Sequence, residues 1–239
     1  MGNCNQHPEN EIHNEVNLES IPHDINLDHY EIEKRNLLNK DQELKAYLNS
    51  NIPVKIDVSE GTTFEGEIKE GKANGTGTLS CPNFVYSGNW INGRPNGYGK
   101  ITYKDGSTFE GNFVNGMCHG QGDFQTPSKY SYQGEFENGK FHGKGKCSWP
   151  NGASYEGDFF QSKFNGYGVY RFPDGKEFRG NYKLGVKDGQ GEIVMPNDST
   201  VVRGNWVNGQ ISGQLKVVKG QEEIAYEVRN GLLTPVIKA

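Results

Sequence analysis

The residues of this chain best placed to do chemistry are the first four. In Met1-Gly2-Asn3-Cys4, removal of Met1 would expose Gly2 as the acceptor for a myristoyl chain, and nearby Cys4 could take palmitate. A single myristoyl chain holds a bilayer with an association constant of only about 10⁴ M⁻¹, so stable anchoring needs a second signal. Basic residues do not supply it, because residues 1–20 contain Glu9, Glu11, Glu15 and Glu19 with no Lys or Arg. The second anchor therefore falls to Cys4. Gln6 stands where the myristoylation pattern prefers Ser or Thr.

Other groups that could react read more simply as structure. Gly139-Lys140, Gly143-Lys144 and Gly175-Lys176 resemble phosphate-cradling loops, but none continues as Gly-Lys-Ser/Thr and none opens a helix. The pairs Glu65/Glu67 and Glu156/Asp158 sit two residues apart on strands and face solvent. General acid–base work needs carboxylates that converge in a cleft. His119 and His142 occupy a position filled elsewhere by Asn96, Asn165 and Asp188, a substitution pattern that reads as a polar turn residue. Cys4, Cys81, Cys118 and Cys147 form no CxxC pair and no zinc-ligand spacing. No catalytic residue, metal or cofactor is expected.

The elements that carry these residues follow from glycine spacing. Gly66, Gly88, Gly111, Gly134, Gly157, Gly180 and Gly204 recur at intervals of 22, 23, 23, 23, 23 and 24 residues. A second series follows at Gly71, Gly93, Gly116, Gly139, Gly185 and Gly209, with Ser162 as its exception. A third runs from Gly75 to Gly213 and a fourth from Gly77 to Gly191, with Leu215 breaking the fourth. Seven copies in this register imply a repeat. Each copy reads as a β-hairpin: Tyr132, Gly134 and Phe136 alternate with Gln133, Glu135 and Glu137, and Asn138-Gly139 suits a tight turn.

The alternation puts two rows of side chains on one face. Phe64, Tyr86, Phe109, Tyr132, Tyr155, Phe178 and Val202 form the first row. Ile68, Trp90, Phe113, Phe136, Phe159, Tyr182 and Trp206 form the second. A single layer of hairpins has no second sheet to cover such a face, and large exposed apolar patches mark interaction sites. The expected groove for a protein partner, an extended or helical segment, is therefore Tyr86, Trp90, Phe109, Phe113, Tyr132, Phe136, Tyr155, Phe159 and Trp206.

These residues resemble the MORN (membrane occupation and recognition nexus) repeat. Phe109-Glu110-Gly111-Asn112-Phe113 with His119-Gly120-Gln121-Gly122 is a close copy of its pattern, as is Tyr132–Gly152 through Phe141-His142-Gly143-Lys144-Gly145. The match covers about residues 54–231. The resemblance implies an all-β, elongated, single-layer twisted meander of stacked antiparallel hairpins. It also implies a scaffold that binds proteins along its aromatic groove, dimerises through end repeats, or sits near membranes and cytoskeleton.

Composition agrees with a repeat. Of 239 residues, 33 are glycine and only 33% are hydrophobic, with a mean hydropathy of −0.80. That leaves less apolar surface than a compact globule of this length would bury. Residues 1–52 carry ten acids against four Lys/Arg, whereas residues 53–239 are nearly balanced, so neither part has the basic stripe that nucleic acid requires. The expected organisation is an acylated tail over 1–26, a helix and linker over 27–52, the repeat rod over 53–233 with half-repeats at both ends, and a tail over 234–239. Asp28-x-x-Glu31 fits the capping box of a helix running to about Asn49. The expected function is a non-enzymatic, membrane-tethered adaptor, cytoplasmic and peripheral on a cytosolic membrane face. Its alternatives are a phosphoinositide-binding module and a structural component of a cilium or submembrane cytoskeleton, including a homodimer.

Overall fold

Period-two alternation interrupted by a turn every ten residues or so leaves hairpins as the regular structure available to this sequence. The computed structural model describes residues 53–236, apart from 198, 230 and 231. They form seventeen β-strands, with no helix among the described residues. The expected helix after Asp28, and Gly2 and Cys4, lie outside the described residues.

The described residues group into two compact units. The first holds 53–127 and the hairpin tip Phe136–Lys140. Its strands are β1 (Val54–Ser59), β2 (Thr62–Lys69), β3 (Lys72–Ser80), β4 (Phe84–Ile91), β5 (Arg94–Tyr103), β6 (Thr108–Val114) and β7 (Met117–Gln125). The second holds Ser128–Glu135 and 141–236. To it belong most of β8 (Ser131–Glu137) and β9 (Lys140–Ser148), followed by β10 (Ser154–Phe160), β11 (Lys163–Arg171), β12 (Glu177–Lys183) and β13 (Val186–Val194). It ends with β14 (Val201–Val207), β15 (Gln210–Lys219), β16 (Glu222–Arg229) and β17 (Leu232–Pro235). Within each unit the strands form an open antiparallel meander, each pairing with its sequence neighbours. β1 is the lone strand expected ahead of the first repeat.

Register explains the glycine lattice. Inside the β4–β5 hairpin, Gly88 faces Gly99 but Trp90 faces Pro95, so Asn89 is opposed by Asn96, Gly97 and Tyr98. The same jump recurs beside Gly66, Gly111, Gly157 and Gly180. Such bulges bend a strand and increase its twist. The bulge glycine needs the left-handed region: Gly97 has φ 98°, and Gly75, Gly120, Gly143, Gly166, Gly189 and Gly213 are also positive. The glycine pair Gly88/Gly99 answers a different need, close approach. A Cβ on Gly88 would lie 2.5 Å from Gly99 Cα and 2.6 Å from the Tyr86 hydroxyl.

The two departures from the lattice resolve separately. Gln161 and Ser162 both take positive φ, 48° and 64°, as Asn138 and Gly139 do at 50° and 78°. The Ser162 amide donates to the Phe141 carbonyl at 2.9 Å, as the Gly139 amide does to Cys118 at 2.9 Å. The fifth repeat is therefore regular. Leu215 stands where Val202 has replaced the first-row ring; with no ring to lie over the backbone, Leu215 itself fills the space and is buried. The position of His119 and His142 is not a turn, since both lie within strands. In three repeats where it holds Asn or Asp, the side chain caps the next hairpin. Asn74, Asn165 and Asp188 accept from the amides of Asn92, Leu184 and Asn208 at 3.2, 3.3 and 3.4 Å.

Candidate functional site

The nine rings expected to floor a groove do share one face, but they are core. Each is 3% exposed or less. First-row rings lean along their own strand across the glycine pair, and the tyrosine hydroxyls show how far. Tyr86, Tyr132 and Tyr155 donate to the carbonyls of Asn89, Glu135 and Asp158, three residues on, at 3.0, 2.7 and 3.0 Å. Each ring then meets second-row rings edge-on. In the first unit the chain of contacts runs Phe64, Trp90, Tyr86, Phe113, Phe109, Phe136 at centroid separations of 4.9–5.3 Å. In the second it runs Tyr132, Phe159, Tyr155, Tyr182, Phe178, Trp206 at 5.0–5.4 Å. Such pairs contribute about 0.5–1.5 kcal/mol each beyond burial. The expected uncovered aromatic surface is thus absent within each unit, because the bulge and the glycine pair let the two rows close over one another.

The second residues of the return strands complete the seal, and differently in each unit. Ala73, Pro95 and Cys118 hold this position in the first unit, all buried. In the second, Phe141 stacks on Tyr132 at 3.7 Å and Phe164 on Tyr155 at 3.6 Å. The next copy is Lys187, whose ammonium lies 4.8 Å from the Phe178 centroid. Burial pushes the Cys118 thiol well above its ordinary range and Cys147 up to about 12. Neither is a nucleophile at neutral pH. Among the described residues no group of three or more His, Cys, Asp or Glu could hold a metal ion.

The opposite, polar face separates the units more sharply. Across the first unit, register aligns Lys55, Glu65, Thr78, Ser87, Lys100 and Glu110 in one row. The middle two are short, and their hydroxyls bond each other at 3.0 Å. Longer side chains stand on either side. Lys55 lies 3.9 Å from Glu65, and Lys100 lies 3.2 Å from Glu110. Tyr98 is 55% exposed, its hydroxyl donating to Glu110 at 2.9 Å. Between these walls is an open trough of about 840 Å³, floored by Thr76, Thr78, Ser80, Ser87 and Asn89. Glu67 accepts from the amide and hydroxyl of Thr76, which hold its carboxyl below the ordinary range.

In the second unit the same face carries alternating charges. Lys146, Glu156, Arg171, Glu177, Arg179, Glu192 and Arg203 follow one another at 3.9, 4.0, 2.9, 2.6, 3.7 and 3.0 Å. Hydrogen bonding from Arg179, with the charges of Arg179 and Arg171 behind it, outweighs desolvation and depresses the Glu177 carboxyl. The alternation in the sequence places Glu65 and Glu156 on this face but does not disclose the trough. Its signal lay in the residues flanking the glycine pairs: Thr78 and Ser87 are short where Arg179 and Glu192 are long.

Bulged hairpins repeated every 23 residues or so around interlocked rings define a β-repeat protein. Residues 64–84, 86–108, 109–129, 132–154, 155–177, 178–200 and 203–214 each match the MORN repeat, and the chain belongs to that family. The last match ends just before Leu215. No curated protein sequence matches the chain. Among the solved structures similar to it are two Drosophila melanogaster domains. One is the SAS-4 (dCPAP) TCP domain of Drosophila melanogaster in complex with a proline-rich motif of Ana2 (dSTIL). It is 12% identical, with 78% of this chain and 90% of that chain covered and a TM-score of 0.41. The other is the TCP10c domain of Drosophila melanogaster Sas-4, 11% identical, covering 74% and 100%, with a TM-score of 0.40.

Proposed function

We propose that this MORN repeat protein is a non-enzymatic scaffold, tethered to a cytosolic membrane face through acyl chains on Gly2 and Cys4, that holds a protein partner. The observation that carries partner binding is the trough of the first unit. It offers hydroxyl and amide groups between two ion-paired walls and an upright Tyr98, on a backbone held rigid by the ring core behind it. The nine rings act through that rigidity, since a partner would have to pry them apart to touch them. Four strands, β2 to β5, frame the trough, so its width is about 14 Å at about 4.8 Å per strand. That width admits an extended segment or a single helix.

The test uses the full chain in cells, with proximity labelling and membrane fractionation read together. Thr78→Arg/Ser87→Glu fills the trough and is expected to remove the labelled partners while leaving membrane pelleting intact. Cys4→Ser is expected to release the chain from membranes. An unchanged labelled set with the trough filled would refute the partner site; persistent pelleting of the Cys4 variant would refute the anchor.

A further inference from the structure

The chain enters the first unit at the edge of its trough. Pro53, the first described residue, lines the trough together with Lys55. The 52 residues before Pro53 are therefore tethered at that wall. From β1 to the Thr78 and Ser87 pair is two to three strands, about 12 Å at about 4.8 Å per strand. Four extended residues, Asn49 to Ile52, span about 13–14 Å, enough to bring Leu48 over the middle of the trough.

The trough can also accept an apolar cover. Thr78 gives its hydroxyl proton to Ser87, and Thr76 gives its own to Glu67. Neither donor is stranded when an apolar group closes over it. Val85, opposite Ser80 of the floor, is 42% exposed, and Tyr98 is 55% exposed. Leu44, Tyr47 and Leu48 stand at i, i+3 and i+4, one side of the helix that the sequence predicts to about Asn49. A helix about 10–12 Å across fits a trough about 14 Å wide.

We infer that the segment ending at Pro53 folds back over the trough, with Leu44, Tyr47 and Leu48 against Val85 and Tyr98, as an intramolecular cover that a partner must displace. A short tether gives the cover an effective concentration on the order of millimolar, so it prevails over a second copy in dilute solution. The regulatory consequence rests on the trough being the partner's seat, as proposed above; the cover itself does not.

The test is cleavage of the purified full chain by a lysine-specific protease, with the cuts after Lys40 and Lys45 followed by mass spectrometry. Cleavage follows the open fraction. The parent should be cut there at least about 10-fold more slowly than Thr78→Arg/Ser87→Glu, whose filled trough cannot seat the cover. An unchanged melting temperature separates filling from unfolding. Gln190→Arg/Gln214→Glu, on exposed residues of the second unit, should be cut as the parent is. Tyr47→Asp/Leu48→Asp should be cut as fast as the filled chain. In cells that variant should label trough partners at least about 2-fold more heavily, because more of the chain is competent to bind. Equal cutting of the parent and the filled chain overturns the cover while the partner site still stands. Protection that fades on dilution also overturns it, because the occupant is then a second copy. Protection lost on filling, with the labelled set unchanged, upholds the cover and refutes the partner site instead.

Discussion

The two units are built on one core and two surfaces. Their ring zigzags have the same order and nearly the same separations, 4.9–5.3 Å against 5.0–5.4 Å. Their polar faces have little in common beyond register. The first unit interrupts its charged row with Thr78 and Ser87 and gains a trough. The second strings seven alternating charges across its strands. In a hairpin repeat, one strand face and the glycine lattice meet the demands of folding, which leaves the other face free to diverge. Divergence is where function is to be sought.

The largest effect should show that the core is shared. Trp90→Ala in the first unit and Phe159→Ala in the second each remove a ring buried to 3% exposure or less. Each is expected to cost about 3–5 kcal/mol in chemical denaturation. If one unit tolerated its loss, the equivalence of the two cores would fail. A step down in size are the glycines. Gly122→Ala drives a Cβ to 2.5 Å from the Phe109 ring and should cost about 1–3 kcal/mol through overpacking. Gly116→Ala meets nothing within 4 Å and suffers only its φ of 85°, so about 1 kcal/mol is expected. Thermal melts of the two variants separate close approach from backbone strain.

That same distinction marks what the sequence disclosed. Strand order, hairpin turns and the membership of both ring rows follow from periods of two and about 23, because backbone geometry and repetition act locally. The burial of the rings does not. It depends on Asn89 facing three residues of the return strand, a non-local register fact that lets Tyr86 lie down across Gly88. Ser162 looked like an irregularity since glycine is the usual solution for positive φ, yet a 2.9 Å hydrogen bond from its amide to the Phe141 carbonyl of the preceding hairpin holds it. The trough was hidden for another reason: a short side chain on a polar face has no signature until its tall neighbours are placed around it.

Smaller effects should distinguish the polar faces. Glu177 has its folded pKa held below the unfolded value of about 4.3. Its contribution is therefore fully present above that value and lost as pH falls through the folded pKa. Exposed ion pairs are worth up to about 1 kcal/mol, so Glu177→Gln should cost no more than that at neutral pH. In acid the variant should lose less than the parent does. Hydrogen exchange resolved by peptide is the measurement, with protection falling in β10 to β14. High salt should reproduce the pattern by screening the ladder. A response spread evenly over β2 to β6 would mean that the ladder is ornamental.

The smallest expected stability change is the most informative about function. Replacing Thr78 by Arg and Ser87 by Glu makes the first unit's row read Lys55, Glu65, Arg, Glu, Lys100, Glu110, with alternating charge throughout, as in the second unit. Both positions lie on the solvent face and neither contributes to the ring core, so stability should stay within about 0.5 kcal/mol of the parent. Added side-chain volume and new ion pairs would close the trough from within. A scaffold that recognises its partner by this surface then loses the partner while keeping its melting temperature. If partner binding survived, recognition would reside in some feature that both units share, and the contrast between their polar faces would carry no functional meaning.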